Sequence, residues 1–315
     1  MKKPPACLII GDINIDFSVH TNFYPPEGGE THAEKLDFQI GGSGCNTART
    51  LNALGVKTFL SGNTGSDRFG ELALETISDE GLNNDLISQT DAIKTGIFVI
   101  IISGDGQRTM YGDRGANALP QDIDGIKATL KKCSHLHFTG YNMLDDAQFF
   151  VVKEAVEFAQ SAGISVSHDP GQHTCRAVPE RVKEMHLLVD YFLPSELELD
   201  LLYPDKPREA QIRACLDAGA KSVVAKLGEK GSRFVNRDID LSKRAMAIDG
   251  MRIYNSTGAG DAFNAGFIAS MIDGEEPEKA LAMGNAAAYT LITTQQGLDG
   301  LLSESDLKKI IGKYL

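Results

Sequence analysis

Residues 7–10 set four apolar side chains in a row, Cys7-Leu8-Ile9-Ile10, and residues 11–17 then alternate. Ile13, Ile15 and Phe17 fall on one side of that alternation, and Asp12, Asn14 and Asp16 on the other. The apolar run reads as a buried strand, which the period of two continues with one face toward a core. The polar face has two readings: the wet side of a half-exposed strand, or three short side chains at a strand end that hold a polyol. After a Pro/Gly turn at residues 25–29, the stretch 30–40 is again extended. Gly41-Gly42-Ser43-Gly44-Cys45-Asn46 then opens a helix over 48–54, which Gly55 closes. That turn is either a tight strand-to-helix connection or a place where a small polar ligand approaches the backbone, with Asn46 offering both donor and acceptor.

Residues 56–60 predict a strand, 62–70 a loop, and the helix after it stops at Gly81. The β-branched run 96–103, the turn Gly104-Asp105-Gly106 and the short run 108–111 predict a hairpin. This hairpin and the extended stretches near Asn14 and Lys35 do not alternate with helices, so they are assigned to a small separate sheet. From residue 136 onward strand and helix alternate: strands at 136–138, 164–167, 191–193 and 222–226, helices at 147–162 and 209–218, and closing helices at 260–271, 277–292 and 304–313. That rhythm predicts βαβ units, an α/β fold and a mostly parallel sheet. Ligands of such sheets sit at the carboxyl ends of the strands, which draws attention to Tyr141, His168-Asp169, Ser195-Glu196 with Glu198, and 226–231.

With 315 residues the chain can bury a sizeable core. Its 43 acidic residues against 31 basic ones argue against nucleic-acid binding as the main task, so a bound nucleotide needs local donors, a few cations and a metal. The five cysteines are scattered without a CxxC pair, which points to neither zinc nor disulfides. The apolar run near the start is too short for a leader or a membrane span, so a cytosolic compartment is expected and no membrane partner.

The most informative stretch is Asn255-Ser256-Thr257-Gly258-Ala259-Gly260-Asp261, small residues feeding straight into an apolar-periodic helix. The first N–H groups of a helix have no internal partner and lie at its positive end, which makes a site for an anion such as phosphate. Asp261 is either a cap for that helix or a general base beside the N–H nest.

The two glycine-rich stretches, 41–46 and 255–261, in this order and about two hundred residues apart, resemble those of the ribokinase-like (PfkB) carbohydrate and nucleoside kinases. Supporting matches are Asn14 and Asp16, residues 62–70, Arg114-Gly115-Ala116-Asn117, 226–231 and 284–288, so the resemblance runs from about Gly11 to Gly297. It implies a single three-layer α/β/α catalytic domain over 1–315, with a discontinuous β lid at about 13–39 and 95–115. The implied reaction moves the ATP γ-phosphoryl group to a sugar hydroxyl, commonly a primary alcohol. Asp261 would be the base, and the N–H groups of Gly258, Ala259 and Gly260 the anion hole. Asn14, Asp16, Gly41, Gly42 and Asn46 carry over to the sugar, with Tyr141 on the same side. Lys226, Gly228, Gly231, Asn285 and Ser195 carry over to the nucleotide. Glu198 would meet Mg²⁺ through water, and lid pairing implies a homodimer.

Three positions depart from the family pattern. Ser195 stands where an amide precedes the Glu198 carboxylate by three residues. Asn255 replaces an acidic residue that supports a monovalent cation, which counts against K⁺. Tyr141 stands where ribokinases proper carry a carboxylate, which counts against ribose as the acceptor. Arg114 is either a surface arginine of the lid or a guanidinium that reaches an acidic or phosphorylated sugar. His137 and His168 read as ordinary core or surface histidines. Alternatives to a sugar kinase are a nucleoside kinase of the same family and a non-catalytic sugar or nucleotide binder. A dinucleotide oxidoreductase would need a GxGxxG followed by a distant acid, and the chain has none.

Overall fold

The apolar run and the alternation beside it form two strands in two different sheets. In a computed structural model, which describes residues 5–104, 108–247, 253–254, 256–295, 297–300 and 305–307, β1 (Ala6–Ile10) is followed by β2 (Asn14–Thr21) and β3 (Lys35–Gly41). Next come α1 (Ser43–Ala53), β4 (Lys57–Gly65), α2 (Arg68–Asp79), β5 (Asn83–Thr90), β6 (Gly96–Ser103) and β7 (Arg108–Asp113). The middle of the chain holds α3 (Ile123–Leu130), β8 (His135–Thr139), α4 (Asp146–Ser161), β9 (Ser165–Asp169), α5 (Gln172–Ala177), α6 (Pro179–Met185) and β10 (Tyr191–Phe192). The rest is α7 (Glu196–Leu202), α8 (Arg208–Asp217), β11 (Ser222–Lys226), β12 (Ser232–Val235), β13 (Asp240–Lys243), α9 (Ala259–Ile272) and α10 (Pro277–Thr293).

Nine strands make one sheet in the order β13-β12-β11-β10-β9-β8-β1-β4-β5, parallel except where β12 and β13 join it. Helices cover both faces, and the alternation along each strand divides the core. Leu8, Ile10, Leu136, Phe138 and Val223 pack with α3 to α8. Cys7, Ile9, Leu60, Val224 and Phe234 pack with α1, α2, α9 and α10. With helices on both sides, β1 can be apolar at every position, and burying each large side chain there contributes roughly 1.5–3 kcal/mol. No helix among the described residues is long and apolar enough to cross a membrane.

The second sheet has four strands in the order β3-β2-β6-β7. β2 runs parallel to β6 with Asn14 opposite Gly96, and antiparallel to β3 with Asn14 opposite Gly41. Its apolar face is covered only near the root. Ile15 and Ile40 are buried in the main core, whereas Leu36, Phe38 and Tyr111 are exposed.

Several sequence expectations need correction. β2 does not continue β1, because the chain leaves the large sheet at 11–13 and enters the small one. The polar face of β2 is not solvated either: Asp12, Asn14 and Asp16 are 2%, 4% and 5% exposed. Residues 62–65, read as a loop, extend β4 beside β5, and pairing there outweighs the local turn signals of Gly62, Asn63 and Gly65. β5 itself had no legible signal. Of the helix expected at 304–313, residues 305–307 are helical and the others lie outside the described residues. Asn255 and the residues at the tip of the β6–β7 turn also lie outside them.

Candidate active site

β1 lies between β4 and β8, so chain connections leave it in both directions, and this is where ligands of such sheets bind. The strand ends bring Asp12 after β1, Asp169 at the end of β9 and Lys226 at the end of β11 to one cavity of about 500 Å³, which the N-terminus of α9 also enters. The small sheet closes its other side with Asn14, Asp16, Phe98, Arg108 and Met110.

Gly258 caps α9 with φ 81°, a left-handed backbone that an L side chain adopts only with strain. This bend aims the start of the helix into the cavity. The Ala259 N–H turns back to the Ser256 carbonyl at 3.3 Å. Asp261, in the first turn, is held from below by two donors on α1: Ser43 Oγ donates to Oδ1 at 2.7 Å and Asn46 Nδ2 to Oδ2 at 2.9 Å. Burial, and then the Asp169 charge, raise its pKa to about 6, while the two donors and Lys226 pull the other way. A carboxylate so placed is ionised at neutral pH and basic enough to take a proton.

Lys226 Nζ lies 2.7 Å from Asp169 Oδ2 and 3.4 Å from Asn264 Oδ1. Burial opposes the ammonium, but Asp169 and then Glu198 more than offset it, so its pKa is raised. Burial likewise pushes Asp169 up, and Lys226 with the Asn264 amide brings it below the usual range. A Cβ on Gly260 would lie 3.6 Å from Lys226 Nζ, so the ammonium stands beside the start of α9. Glu198 and Ser195 form a capping box for α7. Burial and the neighbouring Asp169 raise the Glu198 pKa.

At the β2 end Asp16 lies against Gly41, where a Cβ would come within 2.0 Å of Oδ2. Burial, followed by the Asp261 charge, raises its pKa to about 7. Asn14 Oδ1 accepts from Asn117 Nδ2 at 2.8 Å, which turns the Asn14 amide N–H₂ away from that contact. Asp12 is tied to Arg114, whose Nε and Nη2 approach it at 3.4 and 3.2 Å.

Residues 5–303 match the family described as pfkB family carbohydrate kinase. The chain belongs to the PfkB family. Deoxyribokinase of Salmonella typhi is 26% identical over 281 residues, which cover 87% of this chain and 88% of that protein. The structure of Arabidopsis thaliana ribokinase complexed with ribose and ATP aligns with a TM-score of 0.80 at 23% identity, over 98% of each chain. A probable sugar kinase from Rhizobium etli CFN 42 aligns with a TM-score of 0.87 at 20% identity, over 99% of each. The architecture is that of the ribokinase-like kinases, and the family match makes this PfkB chain a carbohydrate kinase.

In this PfkB kinase the cavity gathers most of the residues singled out in the sequence: Asn14, Asp16, Gly42, Asn46, Tyr141, Ser195, Glu198, Lys226, Gly228 and 258–261. Gly41 lies behind Asp16. Gly231 and Asn285 stand away from the cavity and organise the chain after β13: Asn285 Nδ2 donates to the Lys243 and Arg244 carbonyls at 3.3 and 3.1 Å, and Gly231 lies against the Lys243 carbonyl. Neither expectation for Arg114 describes its placement. It is half-buried behind Asp12, and its guanidinium also binds Asp145, the Asn117 carbonyl and Gln148. It supports the site and does not line it.

Ser43, Asn264 and Arg108 were missing from the sequence-based set, while Asp12 and Asp169 were marked there only by their place at strand ends. Ser43 and Asn264 lie inside or just after the glycine motifs, so motif proximity was an available signal. His137 and His168 are core residues. His137 Nδ1 lies 2.8 Å from Ser167 Oγ, and His168 stacks on Phe138 at 4.3 Å. Burial pushes His137 down to about 4 and His168 well below the usual range, so both are neutral.

Proposed function

We propose that this protein transfers the γ-phosphoryl group of ATP to a primary hydroxyl of a small sugar, with Asp261 as the general base. The observation that carries the reading is the Asp261 carboxylate, fixed by Ser43 and Asn46 in the first turn of α9, beside a helix N-terminus suited to an anion. The acceptor hydroxyl lies between Asp16 and Asp261, and Asp261 takes its proton as the oxygen attacks phosphorus. The N–H groups of Gly258, Ala259 and Gly260 receive the charge that develops on the phosphoryl oxygens, with Ala259 exchanging its Ser256 carbonyl for the ligand. Lys226 and Gly228 face the phosphates of ATP, and Gly231 and Asn285 shape the chain that borders the nucleotide.

No group of three or more His, Cys, Asp or Glu side chains among the described residues could hold a metal directly. This suits Mg²⁺, which keeps several waters and binds largely through substrate phosphates. Glu198, a buried carboxylate on the cavity wall, would hold it through water. When bound, Mg²⁺ neutralises charge on the transferring phosphates. The small sheet acts as a lid that excludes water, and its exposed face with Leu36, Phe38 and Tyr111 pairs two subunits in a homodimer. The reaction is placed in the cytosol.

A nucleoside acceptor is a second reading, favoured by Phe98, Met110 and Tyr141, which offer apolar surface for a base in the same cavity. Rates on adenosine, inosine and cytidine against those on free sugars decide between the two. The kinase reading is tested by Asp261→Asn, for which kcat falls by about 10²–10⁴ while ATP binding persists. Full turnover in that variant would remove Asp261 as the base.

A further inference from the structure

Ile13 is fully buried in the segment that carries the chain from the large sheet into the small one, and one side chain serves both of its backbone groups. The Ile13 N–H donates to Asn117 Oδ1 at 2.9 Å, and Asn117 Nδ2 donates to the Ile13 carbonyl at 2.9 Å. The carboxamide stands in for a paired strand residue, and without it two buried backbone groups would lose their partners. Asn117 Nδ2 also donates to Asn14 Oδ1 at 2.8 Å.

Asn117 is itself buried, and its backbone is fixed from behind. Its N–H donates to the Arg114 carbonyl at 3.0 Å, and its carbonyl accepts from Arg114 Nη2 at 2.9 Å and from Gln148 Nε2. Gly96, at the root of β6, lets the two amides meet: a Cβ there would come within 2.4 Å of Asn14 Oδ1 and 2.5 Å of Asn117 Nδ2.

These contacts force a polarity. A backbone N–H only donates and a carbonyl only accepts, so the Asn117 carboxamide has a single orientation. Its second N–H needs an acceptor, and Asn14 supplies its oxygen. Asn14, which lines the cavity, then has N–H₂ left for a ligand. Resting on the kinase reading above, we propose that Asn117 is a positioning residue that holds Asn14 as a hydrogen-bond donor to an oxygen of the acceptor. The direction of that bond is set by the backbone of Ile13 and passes through two amides. Asn117 itself makes no contact with the acceptor.

The test is steady-state kinetics with Mg-ATP, on the best of ribose, fructose and adenosine, for Asn117→Asp, Asn14→Leu and the double variant. An aspartate at 117 keeps the shape of the side chain and the oxygen that accepts from the Ile13 N–H. Once ionised, it has no hydrogen to give to Asn14. The Asn14 amide then turns to donate to it, and an oxygen faces the acceptor oxygen. The acceptor KM is expected to rise about tenfold, with kcat and the KM for ATP changing by less than about threefold. As the pH falls through the pKa of the new carboxyl, the proton restores a donor, and the KM relative to wild type at the same pH falls back. Leu at position 14 neither donates nor accepts, so in that background Asn117→Asp changes the acceptor KM by less than about twofold.

An equal rise in both backgrounds marks a structural role and overturns the proposal. So does an acceptor KM that Asn117→Asp leaves unmoved from about pH 6 to 9. If Asn117→Asp does not fold, Asn14→Asp decides with Asn117 in place: it accepts from Asn117 and turns an oxygen to the cavity. The same rise in KM is expected there, and an unchanged KM overturns the proposal. Asp261→Asn is run alongside on the same acceptor. Retained turnover in it overturns the kinase reading and this inference with it, whereas lost turnover in it with an unmoved KM in Asn117→Asp overturns this inference alone.

Discussion

At the α9 end of the cavity a helix N-terminus and Lys226 stand among the carboxylates of Asp261, Asp169 and Glu198, while at the β2 end the polar groups are Asp12, Asp16 and the amide of Asn14. Both ends line the same cavity and both carry carboxylates, yet only one of them meets the N–H groups of a helix start. The difference follows from which parts of the backbone arrive. A helix start brings N–H groups whose partial charge is positive, whereas the end of β1 and the start of β2 bring carboxylates from a strand whose other face is committed to the core. In the proposed reaction the phosphoryl group would meet the first end and the acceptor hydroxyl the second.

The largest test of this contrast beyond Asp261 is Lys226→Met. If the ammonium serves the α9 end, kcat falls by roughly 100-fold while the acceptor KM changes little. Because Lys226 also lowers the Asp261 pKa, the acid limb of the pH–rate profile moves upward. A rise in acceptor KM without loss of kcat would place Lys226 at the wrong end. The counterpart at the β2 end is Gly41→Ala. The added Cβ, 2.0 Å from Asp16 Oδ2, turns that carboxylate aside, and the acceptor KM rises by about tenfold with a smaller change in kcat. Steady-state kinetics on both substrates read the two variants.

The smallest effect sharpens the comparison from within Asp261. The base must be ionised, so kcat/KM is full above its pKa near 6 and falls as pH drops through it. Ser43→Ala removes a donor that favours the ionised form, and the limb should move up by about half a pH unit. A limb that stays in place would show that Ser43 does not tune the base.

Legibility in the sequence followed locality. The alternation marked Asn14 and Asp16 on one face of β2 and Ile15 and Phe17 on the other, and the glycine run marked the start of α9, because each signal lies within one element. The partners of those residues are distant. Ser43 is 218 positions from Asp261, and Arg114 meets Asp145 and Gln148 at separations of 31 and 34. Arg114 looked like a lid or substrate arginine because nothing near it in sequence reveals the carboxylate behind it. β5 was invisible for a related reason: its polar sequence, Asn83-Asn84-Asp85-Leu86-Ile87-Ser88-Gln89-Thr90, becomes a strand only against β4.

By itself the sequence determined the class of fold and named the helix start and the carboxylate on which the kinase proposal rests, since periodicity, glycine placement and helix polarity are properties of short segments. Tertiary structure decided the surroundings of Asp12 and Asp16. Asp12 and Asp16 could have met water, and the physical reason they do not is that they lie where the two sheets meet, with the Arg114 guanidinium held behind Asp12.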